Sequence, residues 1–129
     1  MKKLLTLALA LVLVLGVVSG ASALTLELSE VHAEGYPTAL ADHEFARLVK
    51  EATNGEIEIE VHTGGTLYGE ETGSIEALQL GDLAFARVSA SPVASYVPAL
   101  NAIQMPYLYK SGEHMWAVLN GEIGQNMLK

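Results

Sequence analysis

An α/β domain built on a mostly parallel sheet is the fold the sequence predicts, and three observations carry it. Strand-like and helix-like patterns alternate: strands over Leu24 to Val31, Glu56 to His62 and Leu83 to Ser89 are separated by helical stretches. Each gap is long enough for the crossover that parallel neighbours require. Third, Leu83 to Val88 is a short apolar run closed off by Gly81 and by Ser91-Pro92, which suits a strand buried on both faces. Arg87 interrupts that run, and a guanidinium there demands a carboxylate partner. The small residues after it, Ser89 to Pro92, fall where the strand should end, which is where open α/β sheets bind ligands.

The first 23 residues read as a leader. Met1-Lys2-Lys3 is a basic start, Leu4 to Val18 is almost wholly apolar, and Ala21-Ser22-Ala23 has the small-x-small form of a signal-peptidase site. Cleavage after Ala23 would place the product in the periplasm or another extracytoplasmic space. An uncleaved anchor would need about 20 apolar residues, and Ser19, Gly20 and Ser22 speak against one.

Residues 24–129 are expected to form one domain unit. Thr25-Leu26-Glu27-Leu28-Ser29-Glu30-Val31 alternates as a strand with one wetter face. Pro37 then starts a helix whose stripe, Ala41, Phe45, Leu48, Val49 and Ala52, should face the core. Asn54-Gly55 ends it. Ile57, Ile59 and Val61 turn the next strand's apolar face inward, leaving Glu56, Glu58, Glu60 and His62 on the other. That row could chelate a metal, but three adjacent like charges and the scatter of the other histidines make it a solvated strand face. The loop Thr63 to Gly69 has neither the spacing nor the lysine of a phosphate cradle.

Glu70-Glu71-Thr72 suit the positive end of a helix dipole, Ile75, Leu78 and Gln79 give that helix a face, and Gly81 closes it. Pro92 to Tyr96 is expected to make a short helical turn, and Ala102 to Met105 a brief strand stopped by Pro106. Ser111 should cap a helix that offers Met115, Trp116, Val118 and Leu119 to a core, and a further helix should begin around Ile123.

Composition narrows the function. All 15 acidic residues follow Leu24, against five basic ones in that stretch, so nucleic acid is not a fitting partner. Without cysteine there is no disulfide, thiolate metal site or thiol nucleophile. Ser29, Ser89, Ser91, His32 and His114 show no recognisable triad or elbow spacing, although an exported α/β hydrolase is the rival class. No cofactor or metal is called for.

One set of motifs is more specific. A first strand is followed by His32-x-x-x-x-Pro37 and Phe45-Ala46, then by Asn54-Gly55-Glu56-Ile57-Glu58-Ile59 and Gly65-x-Leu67-x-Gly69-Glu70. Leu80-Gly81-Asp82-Leu83, Val97-Pro98, Met105-Pro106-Tyr107-Leu108-Tyr109 and Leu119-Asn120-Gly121-Glu122-Ile123-Gly124 complete the order. From Leu24 onward the chain resembles the solute-binding proteins of tripartite ATP-independent periplasmic (TRAP) transporters.

The resemblance implies a periplasmic-binding-protein-like lobe, incomplete here because members have two lobes around a hinged cleft and this chain matches the first part of lobe one. It implies capture of a small organic acid and delivery to TRAP membrane subunits driven by an ion gradient, with no catalysis. Ligand contacts would come from the loop Val31 to Tyr36, including His32 and Tyr36, from Glu71, and from Ser89 to Pro92, including Ser91. The family's principal carboxylate-binding arginine would lie in lobe two, beyond Lys129. Arg87 could pair a ligand carboxylate or only neutralise a neighbouring acid, and Glu71 could cap its helix or orient a ligand group.

Overall fold

The computed structural model describes residues 22–128, so the expected leader and its cleavage site lie outside the described residues except for Ser22 and Ala23. Three parallel strands form the sheet in the order β2-β1-β3: β1 (Leu24–Ser29), β2 (Ile57–His62) and β3 (Phe85–Ala86). β1 and β2 pair along their full length, from Leu24 opposite Ile57 to Ser29 opposite His62. β3 pairs only Phe85 and Ala86 with Leu28 and Ser29, and the Arg87 amide extends the ladder by donating to the Ser29 carbonyl at 2.9 Å.

This corrects the expected central strand. Leu83 to Ser89 contributes a two-residue edge strand of intermediate burial, with Leu83 buried in the turn before it. The central position belongs to β1, whose carboxyl end is the deepest part of the fold: Leu28, Ser29 and Glu30 are all buried.

Helix α1 (Pro37–Ala52) follows β1. Its first turn opens on Pro37, which lacks the amide hydrogen a helix start cannot satisfy anyway. At its end the Thr53 hydroxyl donates to the Val49 carbonyl at 2.8 Å and accepts from the Ile57 amide at 3.1 Å, tying the helix exit to the start of β2. Asn54 and Gly55 make the reversal with φ of 51° and 82°. The covered face is rotated from the expected stripe: Ala39 is buried and Asp42, Ala46 and Val49 are half-buried, whereas Ala41, Phe45, Leu48 and Ala52, expected to face the core, are exposed, Phe45 and Leu48 keeping 39% and 49% of their surface. Phe45 still meets Phe85 edge-on, with centroids 5.5 Å apart.

Helix α2 (Glu71–Leu80) buries Ser74, Ile75 and Ala77, while Gln79, expected on its inner face, is exposed. Gly81 ends it at φ 81°. The Ser74 hydroxyl donates to the Ser29 hydroxyl at 2.9 Å, both residues buried, which pins α2 to the central strand.

The remaining elements are short helices: α3 (Ala90–Val93), α4 (Leu100–Ile103), α5 (Gly112–Asn120) and α6 (Glu122–Met127). α4 replaces the strand expected over Ala102 to Met105. Its turn is held by local bonds, with Asn101 Nδ2 donating to the Pro98 carbonyl at 3.2 Å and Gln104 Nε2 to the Leu100 carbonyl at 3.0 Å. Ser111 caps α5 as expected, its hydroxyl accepting from the His114 amide at 3.2 Å. α5 packs on α6 through buried Gly124, where a Cβ would collide with the Leu119 carbonyl. Trp116, expected in a core, is mostly exposed on α5.

Candidate functional site

The strand order creates the site. From β1 the chain crosses to β2 on one flank and returns to β3 on the other, so the connections leaving β1 and β3 diverge and open a crevice at the carboxyl ends of the strands. An open cleft of about 440 Å³ lies there, lined by Val31, His32, Gly69, Glu70, Glu71, Thr72, Ser89 and Pro92.

Glu71, the first residue of α2, organises the cleft wall. Its Oε1 accepts three hydrogen bonds, from Arg87 Nη1 at 3.1 Å, the Ser89 amide at 2.8 Å and the Ser89 hydroxyl at 2.8 Å. All three converge on one oxygen, so Oε2 is left to accept from elsewhere. The carboxylate that Arg87 demands is therefore Glu71, supported by Glu30, whose Oε2 lies 3.8 Å from Arg87 Nε.

Glu30 stands just past β1 with no exposed surface. Its Oε1 accepts from the His32 amide at 2.8 Å and from His32 Nδ1 at 2.7 Å, which sets the imidazole tautomer with Nδ1 protonated. Burial acts to raise its pKa, but the His32 amide and imidazole, Thr38 and Asp42 outweigh it and hold the group down at about 2. Asp42 on α1 goes the other way, pushed up to about 6 by burial and by its neighbour Glu30. The His32 ring stacks on Tyr36, centroids 4.4 Å apart and 9° from parallel.

Of the sequence-predicted site residues, His32, Glu71 and Ser89 line the cleft. Arg87 is not among the cleft-lining residues; its Nη1 donates to Glu71 Oε1 and its Nε lies 3.8 Å from Glu30 Oε2. Tyr36 is half exposed, is not among the cleft-lining residues and stacks on His32. Ser91 is exposed within α3 and is not brought to the cleft lining.

Sequence reasoning missed Glu30, Thr38 and Asp42. For Glu30 a signal existed: it shares strand parity with Leu26 and Leu28, so an acid was due on the inward face of β1. Thr38 and Asp42 follow Pro37 one turn apart on α1, with nothing in the local pattern to mark them. Away from the cleft, the His62–Glu27 contact at 3.3 Å across the β1–β2 ladder accounts for part of the acidic strand face.

Comparison with known proteins identifies the family and supports the fold. Residues 28–129 match the DctP family, bacterial extracellular solute-binding protein family 7. The C4-dicarboxylate-binding protein DctB of Bacillus subtilis is 38% identical over 101 residues, 78% of this chain and 29% of that protein. The C4-dicarboxylate-binding periplasmic protein DctP of Rhodobacter capsulatus is 30% identical over 125 residues, 94% of this chain and 36% of that one. A TRAP periplasmic solute-binding protein of Roseobacter denitrificans, solved with bound β-D-glucuronate, superposes with a TM-score of 0.74 at 33% identity, over 80% of this chain and 34% of its own. One from Sulfurospirillum deleyianum with bound succinate gives 0.73 at 33% identity, over 82% and 34%. The chain thus spans about a third of the length of the relatives it matches. With its parallel sheet, its crevice between β1 and β3 and a family match over most of its length, the chain belongs to the DctP family of TRAP solute-binding proteins.

Proposed function

We propose that this chain supplies one wall of the ligand cleft of an extracytoplasmic solute-binding protein that captures a small hydroxylated organic acid for TRAP membrane components. The observation that carries the reading is the Glu71–Arg87–Ser89 cluster at the cleft. Because Arg87 is held by Glu71 and Glu30, this wall offers mainly acceptors: Glu71 Oε2, the Ser89 oxygen and the Glu70 carboxylate. Such a wall grips hydroxyl groups and leaves the ligand carboxylate to a cation elsewhere. A sugar acid has both features, and one solved relative holds β-D-glucuronate. The chemistry asked of the site is binding and release without covalent change.

Amide-resolved NMR on the isotope-labelled chain with D-glucuronate tests this. Saturable shifts at His32, Glu71, Thr72 and Ser89, with the ligand recovered unchanged, are expected. Shifts confined to other surfaces, or conversion of the ligand, would overturn the proposal.

A further inference from the structure

The acidic face of the β1–β2 ladder holds a nitrogen that neither the cleft nor the sheet provides for. Glu27 and Glu60 are register partners and stand side by side on one face, with His62 two positions further along β2 on the same side. That face is turned away from α1, because Leu28 and its partner Phe85 lie on the other one, where Phe45 meets Phe85. Like charges directly opposite one another destabilise a ladder. Glu58, on the same row, is met by Lys50, but among the described residues no lysine or arginine pairs with Glu27 or Glu60.

One ligand atom from each of Glu27, Glu60 and His62 lies within 4.8 Å of the other two. His62 Nε2 stands 3.3 Å from Glu27 Oε1. Yet the two are out of line, and Nε2 forms no hydrogen bond among the described residues. Water does not serve it either, since less than 1 Å² of that atom is accessible. The 29% of the side chain that is exposed therefore belongs to its other atoms, and Nε2 faces the carboxylates. Two ligands on one tetrahedral zinc, each bound at about 2.0–2.1 Å, stand about 3.3–3.4 Å apart, which is the separation already found between His62 and Glu27.

We propose that Glu27, Glu60 and His62 form a divalent transition-metal site, best suited to Zn²⁺, which ties β1 to β2 on the sheet face opposite α1. His62 supplies the Nε2 lone pair with its ring proton on Nδ1, and each glutamate supplies one oxygen. Three protein ligands leave the fourth position to water. An imidazole among carboxylates selects Zn²⁺ over Mg²⁺ and Ca²⁺, which take oxygen ligands. The Glu60 side chain is exposed and free to close the remaining distance by changing rotamer. A bound cation also offsets the repulsion between the opposed carboxylates. The row on β2 does not reveal this site by itself, because one ligand comes from the neighbouring strand. None of the three residues lines the cleft, so the site stands apart from the reading of ligand capture.

Calorimetric titration of the metal-stripped chain with zinc chloride, with magnesium chloride as the comparison, tests the site together with ring-nitrogen NMR of the histidines. One Zn²⁺ per chain is expected, with the His62 Nε2 resonance displaced and Nδ1 keeping its proton, while Mg²⁺ at the same concentration leaves both unchanged. E60Q and H62Q should each weaken Zn²⁺ binding about tenfold or more. Absence of Zn²⁺ binding to the parent chain, displacement of the His32, His43 or His114 ring nitrogens in place of those of His62, or unaltered affinity in both variants would overturn the proposal. Where a variant does not fold, the ring-nitrogen spectra of the parent chain decide alone.

Discussion

Glu71 is the residue on which the cleft wall hangs, since one of its oxygens gathers a guanidinium, an amide and a hydroxyl. Its side chain is 19% exposed, so these are partly desolvated bonds. Glu71→Gln keeps the shape but removes the charge facing Arg87, and a cost of about 1.5–3 kcal/mol is expected in chemical denaturation, in the range of hydrogen bonds to charged groups. Glu30 and Asp42 make a different statement, in pH. Glu30 is lowered to about 2, so its contribution is present above its ordinary range and is lost as pH falls towards 2. Asp42 is raised to about 6, so its contribution is full below its ordinary value and is lost as pH rises through 6. The two together stabilise most at about pH 4–5, and thermal midpoints should decline from pH 5 to 7 in the parent but much less in D42N. The demand of Arg87 for an acid was legible in the sequence, and Glu71 was already singled out. Which acid answered was not, because Arg87 and Glu71 are 16 positions apart and meet only once α2 and β3 are placed.

The elements were legible where local signals agree. Pro37 and Asn54-Gly55 bound α1, Gly81 bounds α2 and Ser111 caps α5, each through a backbone constraint written in one or two residues. Two readings failed where tertiary context decided. The apolar run Leu83 to Val88 had the composition of a central strand, yet only Phe85 and Ala86 pair, on an edge. Ala102 to Met105 had strand-like brevity, yet side-chain bonds from Asn101 and Gln104 close it into a helical turn. The exposure of Phe45 lowers what its removal costs. A fully buried phenylalanine would lose about 3–5 kcal/mol on truncation to alanine, whereas Phe45, resting edge-on against Phe85, should lose about 1–2 kcal/mol. Gly124→Ala should do more local damage despite adding one methyl group. The α5–α6 contact has no room for it, and amide exchange in both helices should accelerate while β1 and β2 stay protected.

Across the whole molecule, the polar machinery lies at one end of a narrow sheet and apolar surface is left elsewhere. Leu40, Leu48, Leu80, Met105, Tyr107, Trp116 and Ile123 are all exposed, more than a small soluble surface usually shows. The formal charge of −8 opposes association, so growth of the sedimentation coefficient with concentration should be stronger in high salt, where that repulsion is screened. The cleft is likewise one-sided. Ligand affinity depends on burying the solute, and an open wall leaves its hydrogen bonds competing with water, so dissociation constants near millimolar, about −4 kcal/mol, are expected. Within that weak range the acceptor-rich wall should still discriminate. Malate and succinate differ by one hydroxyl, and a hydrogen bond to Glu71 Oε2 or Ser89 in an open cleft is worth about 0.5–1 kcal/mol. Equilibrium titration of the chain with these two acids is the most direct measurement. Malate binding about two- to five-fold tighter than succinate is expected; equal affinities, or a preference for succinate, would contradict a wall built to hold hydroxyl groups.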